Sequence, residues 1–319
     1  MVNKASNPAW SILGAGAIGS LWACYAQNNG QAVELILRDQ ASLAAYQAHG
    51  GISFSSEQQT ELLNISACCP ETLAHPIQQL LITTKAQQTI AALQSIKAHI
   101  HPKAHLVLLQ NGLGITEQIQ AHFPQALVLQ ASTTEGAYRA SRFAVVHAGR
   151  GQTLIGAASI EPRTNTSLTQ TTAIAESLSF APLQVAANEN MAAVLWRKLA
   201  INCAINPLTV IHRCRNGELL SNPAALTQIS QVVDEILQLS KQLHLDQYVE
   251  GLHQQVLDVA RNTANNRSSM LQDIESGRET EIDAITGYLC RLAAKQGLTL
   301  PTNQFLYDET QRITALNRR

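Results

Sequence analysis

Within the run Leu195 to Pro207, Lys198, Asn202 and Asn206 recur at four-residue intervals among apolar neighbours. On a helix that spacing puts one ammonium and two amides on a single face. The flanks are Leu, Ile, Ala and Cys, so the stripe would be partly desolvated, and its polar groups would need partners such as a bound polar substrate. The alternatives are that Lys198 extends to water along its own stem, and that Asn206 caps the helix ahead of Pro207, which disfavours its continuation. A second cluster runs from Asn266, Arg267, Ser268 and Ser269 to Asp273, followed by Glu279, Glu281 and Asp283. Ser268 or Ser269 would serve as N-cap of a helix starting at Met270, with Asp273 favouring its first turn. Alternatively the hydroxyls bind a substrate carboxylate, and Glu281 or Asp283 reaches the same cleft.

A third group handles phosphate. Gly14-Ala15-Gly16-Ala17-Ile18-Gly19 places GxGxxG between an apolar strand and a helix. Gly14 allows the tight turn, Gly16 lets the backbone approach a pyrophosphate, and Gly19 allows close helix–strand contact, with the helix N-terminus offering N–H donors to the anion. A dinucleotide is the expected ligand. The second strand ends in Arg38-Asp39, where an NAD enzyme carries an acid for the ribose 2′-hydroxyl. Arg38 points instead to NADP, because a guanidinium can grip a 2′-phosphate; were Asp39 to face the ribose, the preference would invert. Asn111-Gly112-Leu113-Gly114 follows another strand, where the end of a parallel strand approaches the nicotinamide.

Two kinds of scaffold must position these groups. From Trp10 to about Asn188, strands at Trp10–Leu13, Val33–Leu37, Leu80–Thr83, Leu106–Leu109 and Leu127–Thr133 alternate with helical stretches Ile18–Asn28, Gln87–His99 and Gly114–His122. That alternation predicts a mainly parallel sheet covered on both faces. Phe143–His147 and Thr153–Ile155, joined by Ala148-Gly149-Arg150-Gly151, read as an antiparallel hairpin added to it. After Asn188 the period becomes 3.6, through Met191–Ile205, Pro223–Leu243, Val249–Asn262, Glu279–Gln296 and Asn303–Ala315. The expected organisation is an α/β dinucleotide-binding domain over 1–188 and an all-α substrate-binding domain over 189–319. No long linker separates them, so a cleft at a direct connection is expected.

Composition removes other classes. Twenty-two Lys and Arg balance 23 Asp and Glu in 319 residues, a net charge of -1 that lacks the basic footprint of a nucleic-acid or anionic-membrane binder. Forty-five per cent of residues are hydrophobic, enough for two cores, yet no apolar run approaches the roughly 20 residues that span a bilayer. Met1 to Trp10 carries one Lys4 and no secretion signal, so a cytoplasmic address is expected. Cys24, Cys68, Cys69, Cys203, Cys214 and Cys290 show neither metal-ligand nor disulfide spacing and read as reduced thiols, mostly buried. No metal is expected.

Taken together the chain resembles the ketopantoate reductase (2-dehydropantoate 2-reductase) family nearly end to end. The resemblance is carried by Gly14 to Gly19, Thr84-Lys85-Ala86, Gln110-Asn111-Gly112, Lys198-Leu199-Ala200-Ile201-Asn202 with Asn206-Pro207-Leu208-Thr209, Arg215-Asn216-Gly217-Glu218-Leu219, Ser268 to Asp273, and Thr280-Glu281-Ile282-Asp283. It implies a Rossmann-type domain joined to a helical one. It implies Lys198 as general acid and substrate ligand, Asn111, Asn202, Asn206 and Asn216 as substrate-binding residues, and Asn266 to Ser269 holding the substrate, with Ser269 on its carboxylate and Arg267 without a separate role. Cofactor contacts are implied for Gly14, Ala15, Gly16, Ala17, Ile18, Gly19, Arg38, Lys85, Asn111 and Ala137. Glu281 falls at the family's acidic active-site position, open to cofactor, substrate or Lys198.

The implied reaction is NADPH-dependent reduction of 2-dehydropantoate to (R)-pantoate, the reductive step toward pantothenate and coenzyme A. Hydride goes to the C2 ketone and charge builds on its oxygen, which Lys198 can protonate. The alternatives are an NADPH-dependent reductase of another branched 2-oxo acid, or a non-catalytic NADP-binding sensor, against which the proton donor argues. The partner expected is a small 2-oxo acid, without nucleic acid or membrane, for a monomer or homodimer.

Overall fold

The computed structural model describes residues 9–57, 59–157 and 167–317; residues 1–8, on which most of the expectation of no secretion signal rested, lie outside them. The chain divides into two units, Met1–Gln110 with Ile115–Met191, and Asn111–Gly114 with Ala192–Arg319.

The first unit contains strands β1 (Trp10–Leu13), β2 (Val33–Ile36), β3 (Ile52–Ser56), β4 (Gln59–Leu63), β5 (Ser66–Cys68), β6 (Ile77–Ile82), β7 (Ile100–Leu108), β8 (Leu127–Thr133), β9 (Gly136–Ser141), β10 (Ala144–Gly149), β11 (Thr153–Gly156) and β12 (Val185–Ala187). Helices α1 (Ala17–Asn28), α2 (Gln40–His49), α3 (Ala86–Ser95), α4 (Thr116–His122) and α5 (Leu168–Leu178) lie between them in sequence. Eight strands form one sheet in the order β12-β11-β8-β7-β6-β1-β2-β5, in which every pairing is parallel except β8 with β11. Residue alternation along its strands sorts side chains into two cores. Ile12, Leu35, Leu81 and Val107 join one with Trp10 and Trp22, whereas Leu13, Ile36, Leu80 and Leu106 join the other with Leu93 and Ile119. Both faces are therefore buried, as a mainly parallel sheet requires.

The hairpin expected at Phe143–Ile155 does not form. β10 pairs antiparallel with β9 and parallel with β3, in a separate sheet of order β4-β3-β10-β9, while β11 returns to the main sheet beside β8 and β12. Gly151 lies between them, so close to the Thr134–Glu135 backbone that a Cβ would collide with it. Thr134 N then donates to Gln152 O (3.0 Å), steering the chain onto β8. Local alternation identifies a strand, but the partner is whichever edge lies beside it. The small sheet was not anticipated because β3 and β4 are rich in Ser, Gln and Thr and half-buried or exposed over much of their length.

The second unit is helical, with α6 (Met191–His212), α7 (Pro223–Gln242), α8 (Leu252–Asn262), α9 (Ser269–Glu275), α10 (Tyr288–Lys295) and α11 (Pro301–Asn317) around a core that includes Trp196, Leu208, Val233 and Leu289. Two boundaries depart furthest from the sequence reading. α6 runs on through Pro207 to His212. Proline removes one backbone donor, yet the apolar face continues past it through buried Leu208 and Val210, and that burial outweighs one lost bond. The single helix expected over Glu279–Gln296 instead opens with a π-helical turn at Asp283–Gly287. The α7 residue Glu235 ties the start of α11 by accepting from Thr302 N (2.7 Å), Asn303 N (2.9 Å) and Asn303 Nδ2 (2.8 Å).

Among the described residues no helix is long and apolar enough to cross a membrane, and no group of three His, Cys, Asp or Glu could hold a metal ion. Cys24, Cys68, Cys69 and Cys203 are buried, while Cys214 and Cys290 are partly exposed. Burial pushes the Cys203 thiol up to about 12, which suits packing rather than nucleophilic chemistry.

Candidate active site

The first unit supplies an anion cradle. Gly14 follows β1 at φ +106°, a left-handed conformation that favours glycine, and its N–H donates to Ile36 O (3.2 Å). A Cβ on Gly19 would fall onto the Gly14 carbonyl and the Thr83 hydroxyl, so α1 can approach the end of β1 only with glycine there. At Gly16 the result is the opposite. A Cβ there would meet nothing nearer than Thr83 O at 4.0 Å, so the space beside it is open. α1 has no side-chain cap and no acidic residue in its first turn, leaving its N-terminal dipole available to an anion. A dinucleotide pyrophosphate fits these residues, because a side chain at Gly16 would occupy the open space it needs.

The flanking groups sort themselves. Thr83 Oγ1 donates to Gly14 O (2.9 Å) and Leu13 O (3.1 Å), which sets the end of β6 on the glycine turn and Lys85, at the N-cap position of α3, two residues away. Asp39 caps α2, accepting from Ser42 N (2.7 Å), and also accepts from Arg38 Nε (2.8 Å). Ser42 and Arg38 together hold the Asp39 carboxyl down at about 2. That carboxylate is committed to its helix, whereas the Arg38 side chain is 86% exposed at the strand end. Ala137 lies on the small sheet, opposite His147 in the β9–β10 ladder.

The second unit gathers the proton-transfer candidates. Lys198, Asn202 and Asn206 lie on successive turns of α6, about 6 Å apart along the axis. Lys198 is half-buried, and desolvation lowers its ammonium to about 8 against the opposing pull of the Glu281 carboxylate. Glu281 Oε2 accepts from Asn111 Nδ2 at 3.1 Å. The Asn111 loop is fitted to the π-turn: Leu113 N donates to Ala284 O (3.1 Å), Gly112 (φ +85°) has no room for a Cβ against Ala284, and Gly114 (φ +92°) lies under the Tyr288 ring. Ala284 N and Ile285 N both donate to Glu281 O (3.1 Å), so the turn also anchors Glu281. Asp283 is engaged elsewhere, by Arg291 Nη1 (2.8 Å) and Tyr307 OH (3.0 Å). Of the two acids open to the site, Glu281 is the one beside Lys198.

The remaining residues form a neighbouring group. Asn216 is buried; its N–H donates to Asn266 O (3.0 Å) and its Nδ2 to Thr263 Oγ1 (2.8 Å), while its Oδ1 is buried with no hydrogen-bond partner. Ser268 is the N-cap of α9, accepting from Leu271 N (3.0 Å), and its hydroxyl bonds Thr209 Oγ1 (2.6 Å). Ser269, the first residue of α9, is exposed, as are Asn266 and Arg267, and Arg267 pairs with Glu275 (2.9 Å). Asp273 is not in the first turn of α9; it pairs with Arg278 (3.0 Å). Sequence reading gave Thr209 no role of its own, although its spacing of three from Asn206 was a signal.

Comparison with known proteins follows this division. The family model described as "Ketopantoate reductase PanE/ApbA" matches residues 10–159, and "Ketopantoate reductase PanE/ApbA C terminal" matches residues 190–314. A 2-dehydropantoate 2-reductase of Vibrio cholerae is 37% identical over 305 residues, covering 95% of this chain and 96% of its own. The crystal structure of a PanE/ApbA family ketopantoate reductase from Ralstonia eutropha shares the fold with a TM-score of 0.84 at 24% identity, over 97% of this chain and 99% of that one. A D-mandelate dehydrogenase in a ternary structure with NADH and anilino(oxo)acetate shares it too, with a TM-score of 0.88 at 22% identity over 97% and 99%.

Proposed function

This chain belongs to the ketopantoate reductase family, and on that premise we propose that it reduces 2-dehydropantoate to (R)-pantoate with NADPH. The observation that carries the reading is the meeting of Lys198, Glu281 and Asn111 in the helical unit. NADPH, when bound, supplies the hydride that adds to the C2 ketone. Residues 1–188 hold the cofactor: Gly14 to Gly19 and the start of α1 take the pyrophosphate, Arg38 the 2′-phosphate, Lys85 a further anionic oxygen, and Ala137 a backbone contact. Residues 189–319 hold the substrate, with Asn111 contributed from the loop after β7.

Lys198 donates its proton to the C2 oxygen as charge accumulates there. A partly desolvated ammonium near 8 is a better acid than a solvated lysine, and Glu281 keeps it protonated near neutrality. Asn202, Asn206 and Asn216 bind the substrate's oxygens through their amides, and Ser269, within the segment Asn266 to Ser269, binds its carboxylate. The enzyme acts on a free small molecule in the cytoplasm, as a monomer or homodimer. Its product serves pantothenate and coenzyme A synthesis.

The test is an assay of purified protein with 2-dehydropantoate, following NADPH loss, with NADH as control and a panel of other 2-oxo acids. Preferred turnover of 2-dehydropantoate supports the reading. Preference for another branched acid shifts the substrate, and NADPH binding without oxidation by any of them makes the protein a sensor. Arg38→Ala should raise KM for NADPH by about 10- to 100-fold, as expected for losing charge-assisted bonds to a phosphate, with little change for NADH. An equal rise for both cofactors refutes the assignment.

A further inference from the structure

We infer that Thr209 is a positioning residue for the substrate, holding Asn206 and the start of α9 in register; this rests on the reductase reading above. Thr209 is completely buried on α6 among Leu208, Val210 and other core residues, where a valine of the same shape would pack without a polar cost. Its hydroxyl is instead the centre of a directional relay. Asn206 O can only accept, so Thr209 Oγ1 spends its proton there (2.7 Å). Leu271 N can only donate, so Ser268 Oγ accepts it (3.0 Å). Between the two hydroxyls, 2.6 Å apart, the one proton left is that of Ser268, which donates to Thr209 Oγ1.

Every bond of the relay bears on a proposed substrate residue. Its first acceptor is the carbonyl of Asn206, and its last donor lies in the first turn of α9, two residues beyond Ser269. Pro207 has no N–H to return to Cys203 O, so α6 is least supported by its own ladder beside Asn206. The Thr209–Ser268 bond supplies a tertiary tie at that point. It also commits Ser268 to structure and leaves Ser269 as the exposed hydroxyl of the pair.

The experiment compares Thr209→Val, which keeps the shape and removes the hydroxyl, with Thr209→Ser, which keeps the hydroxyl, in the full-length protein. With the 2-oxo acid that wild type turns over best, Thr209→Val should raise the keto-acid KM roughly tenfold or more, with kcat within about threefold and the NADPH KM unchanged. Thr209→Ser should restore the wild-type KM to within about twofold, a rescue that a packing role for the lost methyl would not give. Ser268→Ala should also raise the keto-acid KM, and the double variant should raise it by less than the product of the two single factors, since both substitutions remove the same Thr209–Ser268 bond. Multiplying effects, an unchanged keto-acid KM, or a parallel rise in both KM values overturns the inference. Should Thr209→Val not fold, Thr209→Ala takes its place: a raised keto-acid KM that Thr209→Ser does not show, with unchanged NADPH KM, supports it, and an unchanged keto-acid KM overturns it. Absence of turnover in wild type overturns the reductase reading, and the inference with it, whereas an active wild type with an indifferent Thr209→Val overturns only the inference.

Discussion

Lys198→Ala is expected to lower kcat by about 10²- to 10⁴-fold while NADPH affinity stays within about twofold of wild type. Gly14 to Gly19, Arg38 and Lys85, proposed to hold the cofactor's phosphates, lie in the first unit and Lys198 in the second, so its loss should fall on the chemical step. The pH profile supplies an independent readout. Only the ammonium form can donate, so with its pKa at about 8 the reduction should be level below about pH 7 and fall about tenfold per unit above about pH 8. Glu281 raises that pKa, so Glu281→Gln should move the falling limb to lower pH. Near-normal turnover in Lys198→Ala, or a limb that stays in place in its residual activity, would remove Lys198 from the role of acid.

The largest stability effect is expected at Glu135 and His147. His147 Nε2 lies 2.9 Å from Glu135 Oε2 and 3.1 Å from Gly149 O; both are acceptors, so that nitrogen carries the proton. Nδ1 bonds Tyr25 OH (2.7 Å), which also bonds Ser56 Oγ (3.1 Å). The His147 and Glu135 side chains are only 3% and 2% exposed, and with Tyr25 and Ser56 they join α1 to β10 and β3 of the small sheet. His147→Leu leaves a buried carboxylate without its principal partner, and should cost about 3–5 kcal/mol. Glu135→Leu should cost less, about 1–3 kcal/mol, because Nε2 keeps Gly149 O as acceptor, while the double replacement should recover most of the loss seen in His147→Leu, because no buried carboxylate is left without a partner. Urea unfolding followed by tryptophan fluorescence checks this, since Trp10 and Trp22 are buried in the same unit. Single variants within about 1 kcal/mol of wild type would show that the network does not hold the unit together.

The five strands β8, β7, β6, β1 and β2, the glycine turn and the Lys198 stripe were legible because each is written in local spacing: alternation that divides Ile12 from Leu13 across two cores, glycines at 14, 16 and 19, and a four-residue polar repeat. What was misread depended on neighbours distant in sequence. β10 and β11 carry strand patterns, but only the free edges of β3 and β8 assign them to different sheets. Pro207 looked like a stop, and the apolar face that carries α6 past it gains its value only when packed.

The same division runs through the candidate site. Residue type and period along the chain establish an α/β dinucleotide half and a helical half, and nominate Gly14 to Gly19, Arg38, Lys198 and either Glu281 or Asp283, because backbone conformation and charge are properties of a residue and its near neighbours. The three-dimensional packing decided the choices that sequence left open. It committed Asp39 to a helix cap, Asp283 to Arg291 and Ser268 to Thr209, and left Glu281 with Asn111 and Lys198. Such assignments depend on hydrogen-bond geometry across up to 170 positions of chain, and a bond that sensitive to distance and angle is specified only once the chain has folded.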